Sequence, residues 1–74
     1  MTEAQKMADR INEHRRNGGR VWVVAAWRAA EVGEAFAEGE SLFIRAGRHR
    51  RPLCVLPAVN ADLRRSFDGA FRFR

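Results

Sequence analysis

Apolar residues recur at helical spacing near the start of the chain and form a continuous run soon afterwards. Over residues 3–16 they lie on one predicted helical face, at Ala4, Met7, Ala8 and Ile11. Thr2 and Gln5 form a capping-box pattern before this helix, and the Asn-Gly-Gly segment 17–19 ends it. Residues 20–27 are mainly apolar on both faces and β-branched or aromatic in their first half. They predict a strand that is covered on both sides or has one face open to a partner.

Residues 29–38 predict a short helix. Its apolar stripe consists of Ala29, Val32, Phe36 and Ala37. Gly39 follows as an end signal, whereas Gly33 disfavours this helix by about 1 kcal/mol relative to alanine.

A hairpin, a last helix and a last strand complete the pattern. Residues 41–46 and 52–56 are largely apolar strands on either side of an arginine-rich turn. Asn60 is placed to cap a short helix over residues 61–67, and residues 70–74 alternate as a strand does. The order α-β-α-β-β-α-β predicts an α+β fold. We expect a small, mostly antiparallel sheet of about four strands with an N-terminal helix and two short helices.

Length and composition predict one ordered domain with a small core. The chain has 74 residues, of which 46% are hydrophobic, so residues 1–74 are expected to form a single compact domain. No segment approaches the ~20 apolar residues of a membrane span, and the polar N-terminus is unlike a signal peptide. We therefore expect a cytoplasmic protein without membrane contact. Cys54, the single cysteine, allows no internal disulfide and is expected to pack as a small hydrophobic residue.

Charge narrows the class of partner. The formal net charge is +5, and thirteen of the fourteen Lys and Arg residues are arginine. A GC-rich coding sequence and phosphate recognition explain the excess of arginine over lysine equally well. A GC-rich coding sequence does not, however, explain why the arginines are clustered. Residues 31–40 sum to −4 and residues 41–60 sum to +4. Such blocks give the protein an electrostatic direction and permit head-to-tail self-association.

The densest basic cluster lies on the predicted hairpin turn. It consists of Arg45, Arg48, His49, Arg50 and Arg51. A guanidinium group offers two parallel N–H donors to a phosphate or a carboxylate, so these residues are predicted to bind an anionic partner. The other interpretation is an exposed turn that its charge keeps soluble.

The C-terminal strand carries a second candidate site. Phe71 and Phe73 share one face of this strand, and Arg72 and Arg74 share the other. The phenylalanines either complete the core, which we favour, or stack on exposed bases while the arginines hold the backbone. In both cases Arg72 and Arg74 are candidate ligands for an anionic partner.

The two tryptophans predict one buried and one partly exposed indole ring. Trp22 and Trp27 are five positions apart, so they face opposite sides of their predicted strand. Either can be the exposed one, and an exposed tryptophan is a frequent interface anchor.

The inventory of catalytic residues is poor. The chain has no tyrosine and one threonine, and its two histidines, His14 and His49, fall in different predicted elements. No local pairing of nucleophile and base is present, and one cysteine with two histidines does not make a zinc signature. We therefore expect no enzymatic activity, no cofactor, no metal and no small-molecule substrate.

The chain as a whole resembles one loose class, the small inhibitors of phages and mobile elements, in particular anti-CRISPR proteins. The resemblance rests on the length, the α+β domain, the lack of catalytic groups and the clustered charge of Arg45–Arg51. It involves no motif, so no functional residue is carried over, and the basic net charge differs from the many acidic members of the class. The resemblance implies docking on an acidic protein surface or on nucleic acid within a CRISPR surveillance complex, in the host cytoplasm if the protein is phage-encoded.

Three hypotheses follow. The first is a non-enzymatic inhibitor that docks on an anionic surface of a nucleoprotein complex through the arginine-rich turn and blocks target DNA binding. The second is a protein that binds DNA or RNA directly. The third, ranked low, is a ribonuclease-like toxin that uses His49. We expect a monomer or a weak dimer.

Overall fold

The computed structural model describes residues 1–25, 28–48, 50–59, 61–62 and 64–74, and for Ala25 and Arg28 only the backbone. The positions predicted for Trp27, His49, Asn60 and Leu63 lie outside the described residues. The helix and strands that the structure describes are, in chain order, α1 (Glu3–Arg16), β1 (Val21–Ala25), β2 (Arg28–Glu38), β3 (Ser41–Ala46), β4 (Leu53–Val55), β5 (Ala58–Val59), β6 (Arg65–Ser66) and β7 (Phe71–Phe73).

Helix α1 forms as its apolar spacing predicts. The Thr2 side chain caps it, because its Oγ1 accepts a hydrogen bond from the Gln5 N–H at 3.1 Å. The four residues of the apolar stripe are all buried, namely Ala4, Met7, Ala8 and Ile11. The helix, its Thr2 cap and its buried stripe are therefore confirmed, while the Gln5 side chain donates to Asp9 Oδ1 at 2.8 Å instead of closing the capping box.

The strands of the described residues form one five-stranded sheet and a separate two-stranded ribbon. The sheet has the order β4-β3-β2-β1-β7, and the ribbon pairs β5 with β6. Every described pairing is antiparallel. Three predicted strand segments, 20–27, 41–46 and 52–56, appear as β1, β3 and β4, and residues 70–74 appear as β7.

The helix predicted over residues 29–38 is wrong, because this segment is strand β2. Its register against β3 shifts between Val32 and Glu34, which places a β-bulge at Gly33. A bulge adds one residue to a strand and so interrupts its two-residue period. The core-facing residues Val32 and Ala35 are consequently three positions apart, which is the spacing of a helix. The predicted stripe was nevertheless not a single face, because Ala29 and Phe36 lie on the side of β2 opposite to Val32.

The last short helix, predicted over residues 61–67, is also wrong in the described part of the chain. Residues 61–62 form a turn, and Arg65–Ser66 pairs with Ala58–Val59 as a strand. A helix of seven residues is marginal without strong packing. Phe67 is 4% exposed and reaches the core from the end of β6. The fold is thus α+β, with five strands in the main sheet instead of about four.

The sheet has one covered and one open face. Helix α1 packs on the face formed by the buried residues of the strands, which include Val21, Val23, Val32, Ala35, Leu42, Ile44, Ala46 and Phe71. The opposite face, called the open face below, carries the alternate residues, because side chains alternate along a strand. On it Trp22 is half-buried and Val24 is 41% exposed. The expectation that β1 is covered on both sides is therefore wrong, and the alternative with one open face is correct.

Two smaller expectations concern Cys54 and membranes. Cys54 is exposed rather than packed as a core residue, because it lies opposite Phe43 on edge strand β4 and faces away from α1. Within the described residues, no helix combines the length and the apolar character that crossing a bilayer requires.

Candidate functional site

The arginine-rich turn is built on the hairpin of β3 and β4. Ile44 pairs with Leu53 in the last register position before the turn. Gly47 has a φ of 57°, a left-handed conformation that glycine adopts without strain, and its N–H donates to the Glu31 carbonyl at 3.1 Å. The half-buried Pro52 leads into β4. The turn is therefore anchored to β2 at its start and to the hairpin at its end.

Three of the predicted ligands, Arg48, Arg50 and Arg51, are exposed on this turn. We call these three residues the arginine loop. In the part of the chain that the structure describes, no carboxylate oxygen lies within 4.0 Å of their side-chain nitrogens. Their charges are therefore not compensated by the glutamates of the described chain. His49 lies outside the described residues, so its predicted role stays a prediction.

Arg45 differs from the other arginines of the turn. It lies within β3, opposite Glu34 on β2, and its Nε is 3.6 Å from Glu34 Oε2. Both side chains are more than half exposed, and an exposed pair of this kind contributes little to stability. Its charge is nevertheless partly compensated, so Arg45 is a weaker candidate ligand than the arginine loop.

Arg72 and Arg74 do not join the arginine loop. They lie on β7, and three strand spacings separate β7 from β3, which corresponds to about 14 Å. Phe71 is buried, and Phe73 is partly buried on the face of the sheet that α1 covers. The Arg10 guanidinium of α1 lies 4.2 Å from the centre of the Phe73 ring. The phenylalanines therefore belong to the core side, as we favoured, and do not present stacking surfaces on the open face.

A different aromatic residue shares the open face with the C-terminal arginines. Trp22 lies directly opposite Arg72, and Arg20 exchanges two backbone hydrogen bonds with Arg74, at 2.7 and 2.8 Å. Together with Val24 and Ala29 these four residues line an open depression of about 520 Å³. We call Arg20, Trp22, Arg72 and Arg74 the platform.

Sequence reasoning missed Arg20 and Trp22 as site residues. The platform depends on the pairing of β1 with β7, which joins two segments at opposite ends of the chain. The alternation in β7 placed Arg72 and Arg74 on one face, but it contained no signal for which strand lies beside them. Trp22 is half-buried on the open face, and Trp27 lies outside the described residues, so the predicted division between the two tryptophans stays a prediction.

An acidic stripe separates the two basic regions. Glu31, Glu34 and Glu38 follow each other along the open face of β2, and Glu31 lies directly opposite Trp22. Phe36 stands within this stripe and stacks on Phe43 of β3, with ring centres 5.4 Å apart. The open face therefore has a basic half on β1 and β7 and an acidic half on β2.

The described side chains suit binding of anions better than binding of metals. No group of three or more His, Cys, Asp or Glu residues that could hold a metal ion is found among them. No protein-family model, curated protein or solved structure shows significant similarity to this chain. The chemistry of the arginine loop and the platform is therefore what indicates its function.

Proposed function

We propose that this chain is a small, non-enzymatic binding protein that docks through the arginine loop on an anionic surface of a nucleoprotein complex. The observation that carries the proposal is the exposure of Arg48, Arg50 and Arg51 on one short turn without a carboxylate partner in the described structure. In this role the protein occupies the surface and denies target DNA its binding site, as an anti-CRISPR-like inhibitor does.

The geometry of the turn supports binding over mere solubility. Because Gly47 and the pair Ile44–Leu53 fix the two ends of the turn, the backbone ends of the segment that carries the three arginines are held in place before a partner arrives. Preorganisation reduces the entropy that is lost on binding. Each guanidinium can make a bidentate contact with a phosphate or a carboxylate. The charge of the loop also steers the approach of an anionic partner.

Direct binding of DNA or RNA by the same loop is the second candidate. The observation that favours it is again chemical, because exposed arginines without internal partners suit phosphate contacts. The two candidates differ in what they bind when other proteins are removed. A direct binder shifts free nucleic acid, with an affinity that falls steeply as the salt concentration rises.

The test is a pull-down from host lysate, with and without nuclease, using the tagged protein and two matched variants. The loop variant is Arg48→Gln/Arg50→Gln, and the control is Arg15→Gln/Arg16→Gln, which removes the same charge from exposed positions of α1. We expect a protein assembly to co-purify after nuclease treatment with the wild type and the control, but not with the loop variant.

Two results would contradict this proposal. Capture that disappears after nuclease treatment, together with salt-sensitive binding of free DNA or RNA, assigns the loop to direct nucleic-acid binding. If the loop variant captures the same partners as the control, the loop is not the docking surface, and both candidates fail.

A further inference from the structure

The platform is a second basic region whose chemistry differs from that of the arginine loop. We propose that it binds single-stranded nucleic acid, with a base stacked on Trp22 and the neighbouring phosphates held by Arg20, Arg72 and Arg74. The site lies on β1 and β7, which are two and three strand spacings from β3, or about 10 and 14 Å. The inference therefore does not depend on the docking proposed for that loop.

Two arginines of the platform place like charges side by side. Arg20 and Arg74 lie directly opposite each other, because each backbone N–H donates to the other residue's carbonyl oxygen. Like charges at directly opposed positions of an antiparallel pair are destabilising. No carboxylate oxygen within the described chain lies within 4.0 Å of either side chain to relieve this repulsion. A phosphate bound between the two guanidinium groups converts the repulsion into attraction.

An apolar floor lies between these charges. Trp22 lies opposite Arg72, and Val24 and Ala29 continue the lining of the depression. Val24 is 41% exposed, so apolar surface faces the solvent beside three cations. Proteins that hold single strands combine a basic track for the backbone with aromatic side chains on which bases stack. The platform contains both components.

The size and the boundary of the platform suit a single strand. A depression of about 520 Å³ lies within the range of small-ligand sites, roughly 300–1,000 Å³, and can hold part of one strand. Glu31 lies opposite Trp22 on the β2 side and repels phosphates there, so the strand is confined to the β1–β7 side. A duplex keeps its bases stacked and paired and would leave the floor unused. These features favour a single strand.

The experiment is a fluorescence-anisotropy titration of labelled single strands of about eight nucleotides, a typical site size for one small domain. One strand carries thymine bases, one is abasic with the same phosphates, and a duplex serves as the third probe. At about 50 mM salt we expect the thymine strand to bind about tenfold more tightly than the abasic strand. We expect the duplex to bind no more tightly than the abasic strand.

Matched variants separate the platform from the rest of the surface. Arg72→Gln/Arg74→Gln should weaken binding of the thymine strand about tenfold or more and reduce the slope of log K against log salt by about 1.4. Arg15→Gln/Arg16→Gln removes the same charge from α1 and should change neither value. Trp22→Leu should abolish the preference for thymine over abasic strands. Arg48→Gln/Arg50→Gln should keep that preference, which distinguishes the platform from the arginine loop.

A fluorescence readout covers the case in which Trp22→Leu does not fold. In a Trp27→Phe background Trp22 is the remaining tryptophan, and stacking should quench its emission with thymine but not with abasic strands. Equal binding of the two strands, or equal loss in Arg72→Gln/Arg74→Gln and the α1 control, would refute the proposal. A dimer in sedimentation that dissociates in Arg72→Gln/Arg74→Gln would also refute it, since a second copy would then occupy the platform.

Discussion

The side-chain amide of Asn12 satisfies both backbone polar groups of Ala35. Asn12 Nδ2 donates to the Ala35 carbonyl oxygen at 2.7 Å, and Asn12 Oδ1 accepts from the Ala35 N–H at 3.1 Å. Strand β1 pairs with β2 only as far as Glu31, so the edge of β2 at Ala35 has no neighbouring strand on that side. Helix α1 takes the place of that strand through one side chain, which fixes its position on the sheet.

Asn12→Ala is therefore expected to be destabilising. It leaves the N–H and C=O of the buried Ala35 without their partner, at a cost of about 1–3 kcal/mol in the free energy of unfolding. Denaturant unfolding followed by circular dichroism measures this change. Glu13→Ala, at the next and exposed position of α1, is the control and should stay within about 0.5 kcal/mol of the wild type. Equal midpoints for both variants would show that these hydrogen bonds contribute nothing.

Substitution by alanine should change the free energy of unfolding differently at two glycines, one in β2 and one in the turn that follows it. Gly39, in the turn before β3, has a φ of 59°, so Gly39→Ala should destabilise by about 1–2 kcal/mol. Gly33 at the bulge is outside the left-handed region, and an added Cβ would meet only the Arg45 carbonyl oxygen at 3.5 Å, an ordinary contact. Gly33→Ala should thus be neutral or stabilise by up to about 1 kcal/mol, because alanine restricts the unfolded chain.

The same denaturant midpoints decide this prediction. A loss in Gly33→Ala as large as that in Gly39→Ala would mean that the bulge requires glycine. In that case the Val32–Ala35 spacing would depend on a backbone conformation that alanine does not tolerate.

Local patterns were sufficient for the parts of the fold that depend on neighbouring residues. The apolar stripe of α1, the hairpin of β3 and β4 and the alternation of β7 all arise from contacts or periods within one segment, and they were predicted correctly. Strand β2 was not, because Ala29 and Phe36, which were assigned to one helical stripe with Val32, lie on the other face of the strand. The bulge at Gly33 adds a three-residue step between Val32 and Ala35, and a single sequence contains no signal that separates such spacings from one turn of a helix.

The candidate site was predictable to a similar extent. The arginine loop follows from composition between two strands, and Arg48, Arg50 and Arg51 are exposed there. The platform was only half predicted, since Arg72 and Arg74 were identified without Arg20 and Trp22. Their association requires the pairing of β1 with β7, and such long-range pairings are set by the assembled sheet.

Arg45 should contribute less to anion binding than Arg48. Glu34 lies 3.6 Å from Arg45 and offsets its field, whereas Arg48 has no such partner in the described chain. The salt concentration that elutes each variant from a heparin column measures the difference. Arg48→Gln should elute clearly earlier than the wild type, Arg45→Gln should elute between them, and Glu34→Gln should elute later because it removes the negative charge beside Arg45.

Elution of Arg45→Gln before Arg48→Gln would contradict the weaker role of Arg45 in anion binding. If Arg45→Gln elutes as early as Arg48→Gln and Glu34→Gln elutes with the wild type, the ion pair has no influence on the partner. Arg45 would then have to be counted with the arginine loop.

Cys54 reports whether the open face is covered in solution. Its thiol is exposed on edge strand β4 opposite Phe43, on the same face as the platform. In the native monomer a thiol reagent should therefore react with Cys54 at a rate within about an order of magnitude of that for the urea-unfolded chain. The rate should stay the same from low to high protein concentration. A rate that falls as the protein concentration rises, and recovers at high salt, would show that two copies cover this face by pairing the acidic stripe of one with the platform of the other.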